Sequence, residues 1–174
     1  MNAIEGVADR WWQSGLMTTP REQSWSDSPV QGRVVLLTRN PIADAIETIA
    51  GATGRRVVVV EEDEDGRGVA ALAALSLTGG DAVVLCDHDA PDAPRALRDA
   101  LASSASYVAM MASRSRSEGL LADLRAEGAP GVDKLRVPAG LDLGGKAPGE
   151  IALSVVAEVV ATSYGRGGGP MRRD

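Results

Sequence analysis

VVLLTRNPIADAIETIA, residues 34 to 50, sets a strand-like run directly against a helical pattern. Val34 to Leu37 form a continuous apolar stretch, as expected of a short strand covered on both faces. Pro41 suits the first position of a helix, where no N–H is required. Ile42, Ile46 and Ile49 then recur at i, i+4 and i+7, one face of that helix, and Gly51 and Gly54 close it. The join between the two is Thr38-Arg39-Asn40-Pro41. A dinucleotide-binding loop would carry glycine here, for a tight turn and for close approach to a pyrophosphate. Asn40 is the residue expected to take a left-handed backbone and preserve the turn. Arg39 either meets an anion with its guanidinium or points into solvent.

The same alternation continues outward. RRVVVV (55–60) reads as a second buried strand and GVAALAALSL (68–77) as a short helix. DAVVLC (81–86) is a third strand, followed by a helix within APDAPRALRDALASS (90–104) with Asp89 as its N-cap. SYVAMM (106–111) is the fourth strand. The next helix has Ser115 and Glu118 at capping-box spacing and Gly128 as its stop. KLRV (134–137) is a short fifth element. The last helix, 148–162, is apolar apart from Glu150, Ser154, Glu158 and Thr162 in one i+4 row. It should be buried on most sides, against the sheet and one further element, either the tryptophan segment or a second subunit. Strands and helices at this spacing predict an α/β fold, a mainly parallel sheet flanked by helices, with the first four strands as central neighbours. Residues 1–31, which hold Trp11, Trp12 and Trp25, form an N-terminal tail or a docking segment. The domain is expected over 32–163 and a flexible tail over 164–174.

Composition narrows the function. The 174 residues are 44% hydrophobic, and no apolar run is long enough to span a membrane. No secretory leader is visible, and Cys86 is the only cysteine, so the expected setting is cytoplasmic and reducing. A net charge of −6 argues against nucleic acid as a partner. With one cysteine and one histidine, no protein-only zinc site is expected.

Ligands of parallel α/β sheets bind beyond the carboxyl ends of the strands. That places Thr38, Arg39 and Asn40 after the first strand and Glu61 after the second. Glu61 either holds a ribose hydroxyl or belongs to a solvated acidic run, Glu61 to Asp65. After the third strand come Cys86, Asp87, His88 and Asp89. His88 can coordinate a metal, move a proton, or simply open a helix. Cys86 reads as a small buried strand residue. Ser113 and Arg114 open a helix after the fourth strand, suited to an anion or to capping alone. No nucleophile–base pair is apparent, so no catalytic residue is assigned.

GDAVVLCDHDAPDAPRALRDAL (80–101), YVAMMASRSR (107–116) and VPAGLDLGGKAPGEIALSVVAEVVA (137–161) resemble the C-terminal Rossmann-like domain of XdhC/CoxI proteins. These are accessory factors of molybdenum hydroxylases such as xanthine and carbon monoxide dehydrogenases. The match runs from about Gly32 to Thr162. It is most specific over Pro138 to Ala161, where Pro138, Gly140, Leu141, Asp142, Leu143, Gly144, Pro148, Glu150, Ile151, Ala152, Ala157 and Glu158 fit the family pattern. The family's H-D pair falls on His88-Asp89. Its G-S-R stretch falls on Ala112-Ser113-Arg114, with alanine for glycine. Thr38, Arg39 and Asn40 replace its first-loop G-A-G, while Ala43 keeps the last position. The cysteine-bearing N-terminal domain of full-length members is not expected here. The resemblance implies an accessory or binding protein rather than an enzyme. It would bind the molybdenum cofactor, as molybdopterin or its dinucleotide, or hold its partner hydroxylase, as a monomer or homodimer. It adds Gly140 and Asp142 to the cofactor-binding candidates. The alternatives are an NAD(P)- or flavin-nucleotide oxidoreductase and a degenerate scaffold that binds only protein.

Overall fold

The structure, a computed structural model, describes residues 32–61 and 68–172. The tryptophans of the first 31 residues and the acidic positions Glu62 to Asp65 lie outside the described residues. The elements run β1 (Val34–Leu37), α1 (Pro41–Ala52), β2 (Val57–Val60), α2 (Gly68–Ala74), β3 (Ala82–Leu85), α3 (Ala93–Ala102), β4 (Tyr107–Met110), α4 (Arg114–Ala126), a 3-10 turn (Val132–Lys134), β5 (Leu135–Arg136) and α5 (Pro148–Ser163). All four strand pairings are parallel, and the order across the sheet is β2-β1-β3-β4-β5. This is a Rossmann-like doubly wound sheet whose order reverses between β1 and β3.

The alternation of strand side chains splits the core into two layers. Val34, Leu36, Val84, Tyr107 and Ala109 face α1 and α5. Val35, Leu37, Val83, Leu85 and Val108 face α2, α3 and α4. Every residue of β1, β3 and β4 is buried, which explains their unbroken apolar runs. β2 departs from the expected central strand. It lies at the sheet edge, and Val57 to Val59 are only half-buried there.

At the amino ends of the strands, Gly32 crosses Gly80 so closely that a Cβ on Gly32 would sit 2.0 Å from the Gly80 carbonyl oxygen. Beside them the buried Asp81 carboxylate accepts from the Arg33 backbone N–H (2.8 Å), its Nε (3.1 Å) and its Nη2 (2.7 Å), and from the N–H and hydroxyl of Thr78. Burial alone would raise the Asp81 pKa. The bonds from Arg33 and Thr78 overrule it and hold the carboxyl below the usual carboxylate range.

Three helix boundaries differ from the sequence expectation. The N-cap of α3 is Asp92, not Asp89. Asp89 lies three residues upstream of it, its side chain turned to His88 and Arg116. α4 starts two residues earlier than the Ser115–Glu118 spacing suggests, opening at Ser113 and Arg114, with Ser113 as N-cap accepting from the Arg116 N–H. Gly51 lies inside α1, and Gly54, at φ +80°, is the residue that turns the chain out. Gly128, at φ +65°, follows α4 as expected.

Among the described residues, α1 packs beside α5 on the same sheet face; the tryptophan segment lies outside them. The polar row of α5 is not its solvent stripe. Ser154 is buried and Glu158 turns toward β4, while Leu153 is half-exposed. No described helix is long and apolar enough to cross a membrane.

Candidate functional site at the carboxyl rim

The loops after all five strands share one edge of the sheet, and the sequence-assigned residues fall on it in three groups. The first is the β1 loop. Thr38, at φ 71°, takes the left-handed backbone that the sequence assigned to Asn40. A β-branched residue there costs roughly 1–2 kcal/mol. The loop therefore keeps a glycine-like turn while carrying a side chain. Asn40 is extended and caps α1: its Oδ1 accepts from the N–H groups of Ile42 (3.0 Å) and Ala43 (2.9 Å). Its Nδ2 donates to the Cys86 carbonyl at 2.9 Å. That bond spans β1 and β3, the switch point where a nucleotide crevice would open. Arg39 is held by three carboxylates, Glu61 (2.8 Å), Asp44 (2.6 Å) and Glu47 (3.2 Å), and its pKa is raised first by Glu61. An anion approaching Arg39 meets these acids first, and Glu61 is turned toward Arg39.

The second group follows β3 and β4. Cys86 is buried, and burial, then the Asp87 charge, pushes its thiol up to about 12, which makes it inert at neutral pH. Asp87 Oδ1 accepts from the Asp89 N–H at 2.9 Å. Asp89 carries His88 Nε2 at 3.3 Å on one oxygen and Arg116 Nη1 at 2.9 Å on the other. Ligand atoms of Asp87, His88 and Asp89 lie within 4.8 Å of one another. A cation there would compete with Arg116 for Asp89. Arg116, which the sequence did not single out, is the link between His88-Asp89 and the Ser113 turn.

The third group surrounds a cavity of about 400 Å³ after β4 and β5, within the size range of small-molecule sites. It is lined by Arg114, the loop Pro138 to Lys146, Glu150, Ile151 and Ser154. The loop begins at a cis Val137–Pro138 bond. Arg114 Nη2 faces Asp142 Oδ2 at 3.6 Å, both side chains more than four-fifths exposed. Gly140, at φ +97°, packs against α5 where a Cβ would stand 2.3 Å from Ser154 Oγ. The N-terminus of α5 is closed by its own residue: Glu150 Oε2 accepts from the N–H groups of Lys146 and Ala147, each at 3.0 Å. Gly145 lets Glu150 lie there, since a Cβ would come within 2.5 Å of Glu150 Cβ. The cationic residues among those lining the cavity are Arg114 and Lys146. Lys146 and Glu150 were missed as site residues, although their setting in a glycine-rich run before a helix was legible.

Compared with known protein families, residues 34–159 match the XdhC Rossmann domain. No curated protein matches the chain. Among solved structures, a crystal structure from Bacillus halodurans described as a xanthine dehydrogenase is similar in fold, with a TM-score of 0.64 and 22% sequence identity. The similarity covers 78% of this chain and 44% of that one, so this chain spans less than half the length of that structure.

Proposed function

Because the chain belongs to the XdhC family through its Rossmann domain, we propose that it is a cytoplasmic accessory protein of a molybdenum hydroxylase. It binds the molybdenum cofactor, as molybdopterin or its dinucleotide, as cargo for insertion into that partner. The supporting observation is the cavity at the carboxyl ends of β4 and β5, with Arg114 and Lys146 on its lining. A phosphate-bearing pterin offers an anion for the two cations and a flat body for the half-buried Leu141, Ile151 and Ala139. His88, Asp89 and Ser113 are not among the residues that line this cavity; Asp89 is tied to α4 by Arg116, and Ser113 caps α4 directly before Arg114. The same reading admits a homodimer, which light scattering measures directly.

An NAD(P)- or flavin-binding role has one observation in its favour, the glycine-like backbone of Thr38. The Asn40–Cys86 bond across the crevice and the three acids on Arg39 weigh against it. Thermal melts of the purified chain with molybdenum cofactor, NAD(P) and flavin nucleotides separate the two. A specific ligand at a hundredfold over Kd adds about 2.7 kcal/mol of stability. A shift with the pterin alone is expected. A shift with NAD(P) and none with the pterin refutes the proposal.

A further inference from the structure

The polar row of α5 clasps the cavity loop. Glu158 Oε2 accepts from the Tyr107 hydroxyl at 2.7 Å and from the Gly140 N–H at 2.9 Å. One turn earlier on α5, the Ser154 carbonyl accepts from the Leu141 N–H at 3.2 Å. Two successive loop amides are thus held by residues four apart on one helix face. The attachment reaches the sheet through Tyr107, a fully buried residue of the central strand β4. Burial, and then the neighbouring Glu158 charge, push the phenol well above its usual range, so at ordinary pH it keeps the proton that it donates to Glu158. Gly140 is fixed by the same arrangement, since its backbone is left-handed and no Cβ fits against Ser154. Two residues beyond Gly140 stands Asp142, the partner of Arg114 across the cavity.

We propose that Glu158 is the positioning residue of the ligand cavity, anchoring the Gly140–Lys146 loop to β4 through Tyr107 so that the loop faces Arg114 at a fixed distance. A carboxylate suits the place because both of its partners are donors, and a charged acceptor makes the stronger bond to each. A binding loop held this way meets its ligand already ordered, which removes the cost of ordering it on binding. Glu158 itself touches no ligand in this account. The inference rests on the cavity being the ligand site, but its first test does not.

Amide hydrogen exchange is measured on the native chain, Glu158→Ala, Glu158→Gln and Tyr107→Phe, alongside calorimetric titration with inorganic pyrophosphate. Losing a charge-assisted bond corresponds to about ten- to a hundredfold. Glu158→Ala should therefore speed exchange at Gly140 and Leu141 by at least about tenfold while β1 and β3 amides keep their native rates. Pyrophosphate affinity should fall by a similar factor. Glu158→Gln keeps an oxygen for both donors but loses the charge, and should fall between native and Glu158→Ala in both readings. Tyr107→Phe, which keeps the Gly140 bond, should loosen the loop by only a few-fold, and it serves if Glu158→Ala does not fold. Loop exchange unchanged in both Glu158→Ala and Tyr107→Phe overturns the proposal. So does acceleration spread evenly over the core, which would make Glu158 a general stabiliser. If the native chain binds no pyrophosphate, the cavity reading falls, and the exchange data alone decide whether Glu158 orders the loop.

Discussion

Replacing Asn40 tests the geometry of the first loop most directly. Asn40→Ala removes two kinds of contact at once. One is the cap on α1, where Oδ1 accepts from Ile42 and Ala43; such a cap contributes about 1 kcal/mol. The other is the bond from Nδ2 to the Cys86 carbonyl, worth roughly another 1 kcal/mol. The sum is about 2 kcal/mol. For a unit spanning Gln31 to Asp174, an unfolding entropy of about 2.1 cal/mol/K per residue gives ~0.3 kcal/mol/K, so Tm should fall by about 7 °C. Asn40→Ser divides the two contributions. Its hydroxyl can cap the helix but is too short to reach across to β3. Equilibrium unfolding in urea should place Ser about halfway between native and Ala. A Ser variant no better than Ala would show that the cap contributes nothing. An Ala variant within about 0.5 kcal/mol of native would refute the whole account of the loop.

Thr38→Gly relieves the left-handed strain at φ 71° and should leave stability unchanged or raise it by up to about 1 kcal/mol in the same unfolding assay; a clear loss would show that the Thr38 side chain packs more than it strains. Asp81→Ala leaves the Arg33 guanidinium without its buried partner and should cost about 3–5 kcal/mol. In the native chain the Asp81 pKa is held below its unfolded value of about 3.9, so its contribution is whole at neutral pH and drains away as pH falls below about 4. Acid titrations of stability in native and Asp81→Ala chains should converge at low pH, and parallel curves would deny the linkage. Arg114→Ala should weaken binding of a phosphate-bearing pterin about ten- to a hundredfold with Tm nearly unchanged, because Arg114 is exposed and its ion pair is long; lowered stability with intact affinity would make Arg114 a structural brace.

The sheet was legible because burial on both faces forces continuous apolar runs, and β1, β3 and β4 are such runs. RRVVVV carries an equally strong signal, yet β2 is an edge strand, since strand order is not written in apolarity. Helix starts were less legible. Ser113 and Ser115 have the same capping chemistry within one short run, and in the structure Ser113 is the N-cap. The left-handed residue was misread as Asn40 because its chemistry favours that conformation. Asn40 instead makes three hydrogen bonds that need an extended backbone, and the strain falls on Thr38. The acids around Arg39 come from α1 and the end of β2, a convergence that no single stretch displays.

The two ends of the carboxyl rim have opposite characters, and this bears on where a ligand can go. At the β1–β3 switch point the polar groups already satisfy one another: Asn40 bridges the strands and Arg39 is surrounded by acids. A ligand there must break about 2 kcal/mol of existing bonds before it makes any of its own. At the β4–β5 end the corresponding contact is one exposed pair, Arg114 with Asp142 at 3.6 Å, worth at most about 1 kcal/mol in water. An anion can exchange with Asp142 at little cost. It cannot exchange as easily with Glu150, which accepts from the N–H groups of Lys146 and Ala147 just before α5 and lies against Gly145. A phosphate in the proposed site would therefore sit on the guanidinium of Arg114 rather than on the helix N-terminus. Asp142→Asn should then tighten pyrophosphate binding several-fold, and Glu150→Gln should leave it unchanged. The reverse order would return the anion to the helix end.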